Sequence, residues 1–407
     1  MKGARALMWR LAVLCACCLL LGGCWSRVEL NEIGIVSATG VDWKDNKWTL
    51  TYQVVMPPTP LGQRGSAGKA AAVHVLSTSA ESFRAAARKA SQESARRLYF
   101  AHNQMLVIGQ EAARHGLEQL FDVYIRNPES RKSVSVFLTK GSARRTLEQL
   151  APLAEMTGNA MRQLIAQGEK ESPDFPEMSM HDIMVELLGA SQATGIPSLV
   201  ASGVDESSSD SSRKLAHPAA KLRLNQMGLI DRNKLIGWIS REEGFGVMWL
   251  SNKIKHTTLA FSCPANEPAG KQSAVQISGA ATKLTPEWSE GKWTMHVKAE
   301  GQGRLVEYGC LGDLQTPEAL KDVNQLVEQE IIRLIEKGWQ SLRANKADVV
   351  GFGNMIHKKH PKQWAKQKRD WPEQFARMNI KVSAHIKLQS TGMSGSSFKK
   401  AQDQARS

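Results

Sequence analysis

The stretch IGIVSATGVDWKDNKWTLTYQVVM, residues 33–56, decides the fold, because it is a strand, a turn and a second strand in 24 residues. In its second half Trp48, Leu50, Tyr52 and Val54 alternate with Thr49, Thr51 and Gln53. That is the period of a half-buried strand. Lys44, Asp45 and Asn46 form the turn between the two strands. Working outward, PPTPLGQRGSAG (57–68) is a loop by its Pro and Gly content, and AVHVLST (72–78) is a third strand. Thr78 and Glu81 have the spacing of a capping box, which opens a helix with Phe83, Ala87, Ala90 and Ser94 on one face. NQMLVIG (103–109) is a strand, 110–126 a helix, and KSVSVFLT (132–139) another strand. The order β-β-β-α-β-α-β predicts a mixed α/β or α+β domain at 24–140.

Further along, 142–192 reads as helical, with breaks at Pro152, Gly168 and SPDFPEM (172–178), so a mainly helical middle region is expected over 141–201. SGVDESSSDSSRK (202–214) is a polar, Ser-rich linker and the clearest boundary in the chain. A C-terminal α/β domain follows at 215–392. Its strands are expected at about 219–228, 234–240, 254–261, 273–284, 292–300, 303–309 and 378–388, with a short helix near 242–251. A long helix starts at Thr316-Pro317-Glu318, where Thr caps, Pro suits the first helical position and Glu favours the dipole. It runs to about Lys346 on a stripe of Leu320, Val323, Val327, Ile331 and Leu334. Residues 393–407 are a flexible basic tail, and no internal repeat is found.

Before all of this lies a different kind of sequence. Residues 1–10 carry Lys2, Arg5 and Arg10 and no acid, and LAVLCACCLLL (11–21) is continuously apolar. Eleven such residues rise about 16 Å as a helix, about half of a bilayer's hydrocarbon core, so the segment is a secretory signal and not a span. Leu21-Gly22-Gly23-Cys24 resembles a bacterial lipobox, although Gly22 stands where Ala or Ser is more usual. Residues 1–23 are then a signal peptide, and the Cys24 thiol receives a covalent diacylglycerol. Two acyl chains hold a protein on a membrane where one gives only marginal binding.

Composition agrees with a folded body: 42% hydrophobic and 23% charged residues. The formal charge of +14 falls to +11 when Lys2, Arg5 and Arg10 leave with the signal. Most of the excess is C-terminal and is densest in HKKHPKQWAKQKRDW (357–371). There Lys358, Lys359, Lys362, Lys366, Lys368 and Arg369 are either a solvated helix face or a contact for membrane headgroups or a partner. Nucleic acid is not expected as a partner of an exported lipoprotein. Cys15, Cys17 and Cys18 belong to the signal and Cys24 to the lipid, which leaves Cys263 and Cys310, the right number for one disulfide.

No catalytic pattern stands out. Gly351-Phe352-Gly353 lacks the spacing of a dinucleotide fingerprint, and there is no Gly-x-Ser-x-Gly or His-Glu-x-x-His. His357 and His360 are an isolated pair without a second cluster of metal ligands, His102 has no visible nucleophile, and Glu242-Glu243 reads as a helix start. No cofactor and no metal are expected.

Four stretches together are similar to one family. CWSRVELNEIGIVSATGVDW (24–43) resembles the mature start of Ger(x)C spore germination lipoproteins through Cys24, Trp25, Glu29, Leu30, Asn31, Gly40 and Asp42, with Ser26 in place of the usual Asp. Residues 96–131 resemble its Arg-x-Leu-x-x-x-His and Arg-(Asp/Asn)-x-Glu-x-Arg stretches through Arg96 or Arg97, His102, Arg126, Glu129 and Arg131. GLIDRNKLIGWIS (228–240) resembles its Lys-Leu-x-Gly-Trp/Phe-Leu segment, and 347–375 its Asp-x-x-Gly-Phe-Gly with paired tryptophans, here Trp364 and Trp371.

The resemblance implies three mixed α/β domains in an elongated body and no catalysis. It also implies a role as the C subunit of a nutrient germinant receptor, working beside the A and B subunits on the outer face of the spore inner membrane. Two other classes share a lipobox. A solute-binding lipoprotein of a transporter would show two similar lobes around a cleft, and a cell-wall hydrolase would lose its activity with one carboxylate.

Overall fold

The computed structural model describes residues 32–55, 73–127, 129–150, 175–202, 221–263, 272–310, 314 and 316–390, together with Gly3, Trp9 and Arg10. Most of the expected signal peptide, the expected lipobox, the body of the Ser-rich linker and the expected basic tail lie outside them. The fold is a mixed α+β arrangement of two sheets, as the element order predicts.

The first sheet opens on the hairpin β1 (Ile33–Lys44) and β2 (Lys47–Val55). Asp45 and Asn46 take φ of 51° and 57°, the mirror-image turn whose twist suits a hairpin. Trp43 and Trp48 face each other beside it, ring centroids 5.0 Å apart. β3 (Val73–Ala80) adds to β2 antiparallel, while β4 (Arg97–Tyr99) and β5 (Met105–Gly109) lie parallel to β1. β6 (Ser135–Thr139) extends the parallel part. The helices α1 (Phe83–Glu93), α2 (Gln110–His115), α3 (Glu118–Arg126) and α4 (Ala143–Leu150) connect and cover these strands.

Three expectations for this half need correction. β2 is buried on both faces, with Thr51 0% and Gln53 1% exposed. Helix α4 lies on its polar side, where Gln53 Nε2 donates to the Leu147 carbonyl at 3.2 Å. The cap of α1 is Ser82, which accepts from Ala85 N at 3.2 Å. Thr78 stays in β3 and donates to the Ala86 carbonyl. The helix expected over 110–126 is two helices, broken at Gly116, whose φ of 132° favours glycine.

The middle region is not all helix either. After α5 (Met180–Leu188), residues 193–202 form a strand, β7 (Ala193–Ser202), that pairs with β6 through Leu138 and Ser198. Gly195 and Pro197 hide it in the sequence, because both weaken a strand reading. The chain accommodates Pro197 beside a bulge that falls before Leu199. β8 (Lys221–Asp231) and β9 (Lys234–Ser240) continue the sheet, giving the order β3-β2-β1-β5-β6-β7-β8-β9. The sheet therefore takes strands from both sides of the Ser-rich stretch.

The second sheet has the order β10-β11-β12-β13, with β10 His256–Ser262, β11 Gln272–Ser289, β12 Lys292–Glu307 and β13 Asn379–Ser390. β12 runs through Gly301 and Gly303, where two strands had been expected. A side chain at 303 would press on Leu388 and Val275, both 2.9 Å from its Cβ, so the glycine is a packing requirement and not a break. Trp288 and Trp293 face each other across the β11–β12 turn at 5.0 Å, as Trp43 and Trp48 do in the first sheet.

Helix α6 (Arg241–Leu250) begins at a capping box of Ser240 and Glu243, and α7 (Pro317–Ala344) is capped by Thr316 as expected. Its 28 residues reach about 42 Å. Val323, Val327, Ile331 and Leu334 are buried, and Leu320 is half-buried. The two helices touch through glycines, since a Cβ on Gly246 would overlap the Leu334 carbonyl and one on Gly338 the Glu243 carbonyl. Three short helices, α8 (Phe352–Lys359), α9 (Pro361–Gln367) and α10 (Trp371–Arg377), lead from α7 to β13. Among the described residues no helix is long and apolar enough to cross a membrane.

Candidate functional site

The motif residues converge on buried structure. Asp348 is 2% exposed and sits where α7 has ended and α8 begins. Its Oδ1 accepts from Phe352 N at 2.9 Å. Its Oδ2 accepts from Gly353 N at 2.7 Å, Ser191 Oγ at 2.7 Å and Trp371 Nε1 at 2.9 Å. Burial raises the carboxyl to a pKa of about 6, against the pull of these donors. Asn354 completes the knot, its Oδ1 accepting from Ala190 N at 2.5 Å and Ser191 N at 3.2 Å. Gly351 supplies a left-handed φ of 80°, and Gly353 leaves room for the Trp371 indole, 2.9 Å from where its Cβ would be. The arrangement ties the α5–β7 corner of the first sheet to the helices beneath the second.

Asp42 has a similar task. Its carboxylate accepts from Ala143 N at 2.8 Å, Arg144 N at 2.9 Å and Ser142 Oγ at 2.9 Å, so it caps α4 from the end of β1. Gly40 lets α4 approach, with Leu147 Cδ1 3.0 Å and Ala143 Cβ 3.3 Å from its missing Cβ. Of the two candidate arginines it is Arg97 that pairs with Glu129, at 2.8 Å, and Arg126 pairs with Asp122. His102 is exposed beside Tyr99. Glu243 caps its own helix and accepts from Ser341, while Glu242 binds Arg333 and Lys337 on α7. His357 packs near Trp364 and His360 near Trp293. No group of three metal-ligating side chains occurs among the described residues.

The six cations expected at the surface are placed together. Lys358 and Lys359 end α8, Lys362 and Lys366 lie on α9, and Lys368 and Arg369 form the turn that follows. All six are exposed, and none has an ion pair with another described residue. Trp364 and Trp371, 6% and 3% exposed, hold this surface from inside with rings edge to face at 5.0 Å. Cys263 and Cys310 form a disulfide with Cα atoms 5.5 Å apart, near Ser273. Leu21, Gly22, Gly23 and Cys24 lie outside the described residues.

What the sequence reading missed is the joint role of Asp348, Ser191 and Asn354. The Asp-x-x-Gly-Phe-Gly spacing signals part of it, but Ser191 stands 157 positions away.

Residues 26–201 match the spore germination protein N-terminal domain, and 225–392 match the spore germination B3/GerAC-like C-terminal domain. The chain belongs to the Ger(x)C family. Spore germination protein KC of Bacillus subtilis (strain 168) is 29% identical over 94% of this chain and 95% of its own length. Spore germination protein YndF of the same organism is 22% identical over 93% and 95%. The crystal structure of the GerBC protein is 19% identical, covers 86% of this chain and 96% of that one, and superposes with a TM-score of 0.53, a likeness of fold. This Ger(x)C protein thus has its place in spore germination, in the germinant-receptor class. The two family matches meet across the Ser-rich stretch.

Proposed function

We propose that this Ger(x)C protein is the lipid-anchored, non-catalytic C subunit of a spore nutrient germinant receptor. It is held at the outer face of the inner membrane by diacylglycerol on Cys24 and supports the assembly or signalling of the A and B subunits. The match to both family domains carries the reading. The chain chemistry supports it. β1 begins at Ile33, nine residues after Cys24, so the body is held within about 30 Å of the lipid. At that range the tether raises the effective concentration of the body near membrane-embedded partners. The surface at 358–369 adds cations that anionic headgroups attract, each worth about 1 kcal/mol close to the membrane.

The non-catalytic part of the reading rests on how the motif residues are spent. Asp348, Asp42, Gly40 and Trp371 fill structural roles: Asp348 and Asp42 accept from buried or capping donors, Gly40 makes room for a helix, and Trp371 donates to Asp348.

The test is Cys24→Ala in the sporulating host. The chain is expected to leave the membrane fraction and nutrient germination to fail or weaken. Retention in the membrane with wild-type germination, or mass spectra showing an unmodified Cys24 in native material, overturns the proposal.

A further inference from the structure

The second sheet presents one face to α7 and the other to solvent. On the outer face the register sets out a grid. Lys283, Lys298 and Ser383 stand abreast on β11, β12 and β13, and Thr285, His296 and Lys381 form the next row. Neighbouring strands are about 4.8 Å apart and successive rows on one face about 6.8 Å. The grid lines a concavity of about 420 Å³. Lys283 and Lys298 are directly opposite, a like-charge pairing that a sheet normally avoids. Lys283 and Lys381 have no ion pair with another described residue, whereas Lys298 reaches Glu300 at 2.5 Å. Carboxylates close the grid at both ends. Glu287, bonded to His296 at 2.5 Å, lies beyond one row and Glu300 beyond the other.

We propose that this concavity is a docking site for an acidic segment of a partner polypeptide. Charge complementarity selects an anion. The flanking carboxylates select its shape. A uniformly anionic membrane plane would press charge onto Glu287 and Glu300 as well as onto the lysines. An extended chain crossing the strands between them runs along the rows, and its carboxylates meet the lysines without reaching Glu287 or Glu300. The patch at 358–369 carries six cations and no acid and has the opposite character. The docking site rests on register and charge and stands whether or not the chain carries lipid.

The experiment uses the full chain with Cys24→Ser, so that no lipid is attached, and a fluorescein-labelled hexaglutamate peptide followed by anisotropy in low salt. The triple substitution Lys283→Gln, Lys298→Gln and Lys381→Gln is expected to weaken binding about tenfold, the product of three exposed charge pairs of ordinary strength. Lys358→Gln, Lys359→Gln and Lys362→Gln together should change it less than about twofold. Melting curves of both variants should stay close to the parent, because all six substituted side chains are exposed. Equal loss in the two triple variants, or no loss in the first, overturns the proposal. So does a first variant that loses binding to phosphatidylglycerol vesicles and keeps the peptide, since that outcome gives the face to the membrane.

Discussion

At Asp348 one carboxylate gathers four donors from three parts of the chain. Asp348→Ala orphans Phe352 N, Gly353 N, Ser191 Oγ and Trp371 Nε1 in the interior. The expected cost is about 3–5 kcal/mol, read as a fall in denaturant midpoint. The same group fixes a pH signature. Its folded pKa of about 6 lies above the unfolded value. Between pH 4 and 6 the folded chain therefore binds more protons than the unfolded one, so this contribution to stability is full below about pH 4 and declines as pH rises to 6. Melting temperatures across that window should carry the slope in the parent and lose it in Asp348→Asn, whatever the absolute stability of the variant. A second residue-scale expectation concerns Gly246. Gly246→Ala pushes a methyl into the Leu334 carbonyl and should destabilise by about 3 kcal/mol, with α6 and α7 forced apart. Asp348 is legible in the sequence as part of a motif, but its partners are not. Spacing reveals neighbours three or four positions apart, and no pattern announces that Ser191 will arrive from 157 positions away.

Among the elements, those with local causes were the readable ones. The long helix has its cap, its Pro and its apolar stripe in one continuous run, and it forms as expected. β7 was hidden because Gly195 and Pro197 argue against a strand unless the bulge beside them is known. β2 was half-read: its alternation is real, and only tertiary structure puts α4 over the Thr and Gln side. The basic grid on the second sheet was invisible for the same reason, since it exists only through the register of three strands. The two tryptophan-closed turns offer a test at this scale. Trp48 and Trp293 are each 1% exposed, so replacing either by Ala should cost about 3–5 kcal/mol. Each should also remove one of the three exciton couplets that close tryptophan pairs give among the described residues. The disulfide closes the segment between Cys263 and Cys310, a separation of 47 residues. Reduction, or Cys263→Ser with Cys310→Ser, should lower stability by about 3–4 kcal/mol, visible in melts with and without reductant.

Over the whole molecule, the long sheet draws strands from both sides of residues 203–220, and the Asp348 knot fastens the two sides again. Covalent continuity there is consequently dispensable. A protease nick within that interval should yield two pieces that migrate together until denatured, and halves produced from separate genes should find one another and reconstitute the body.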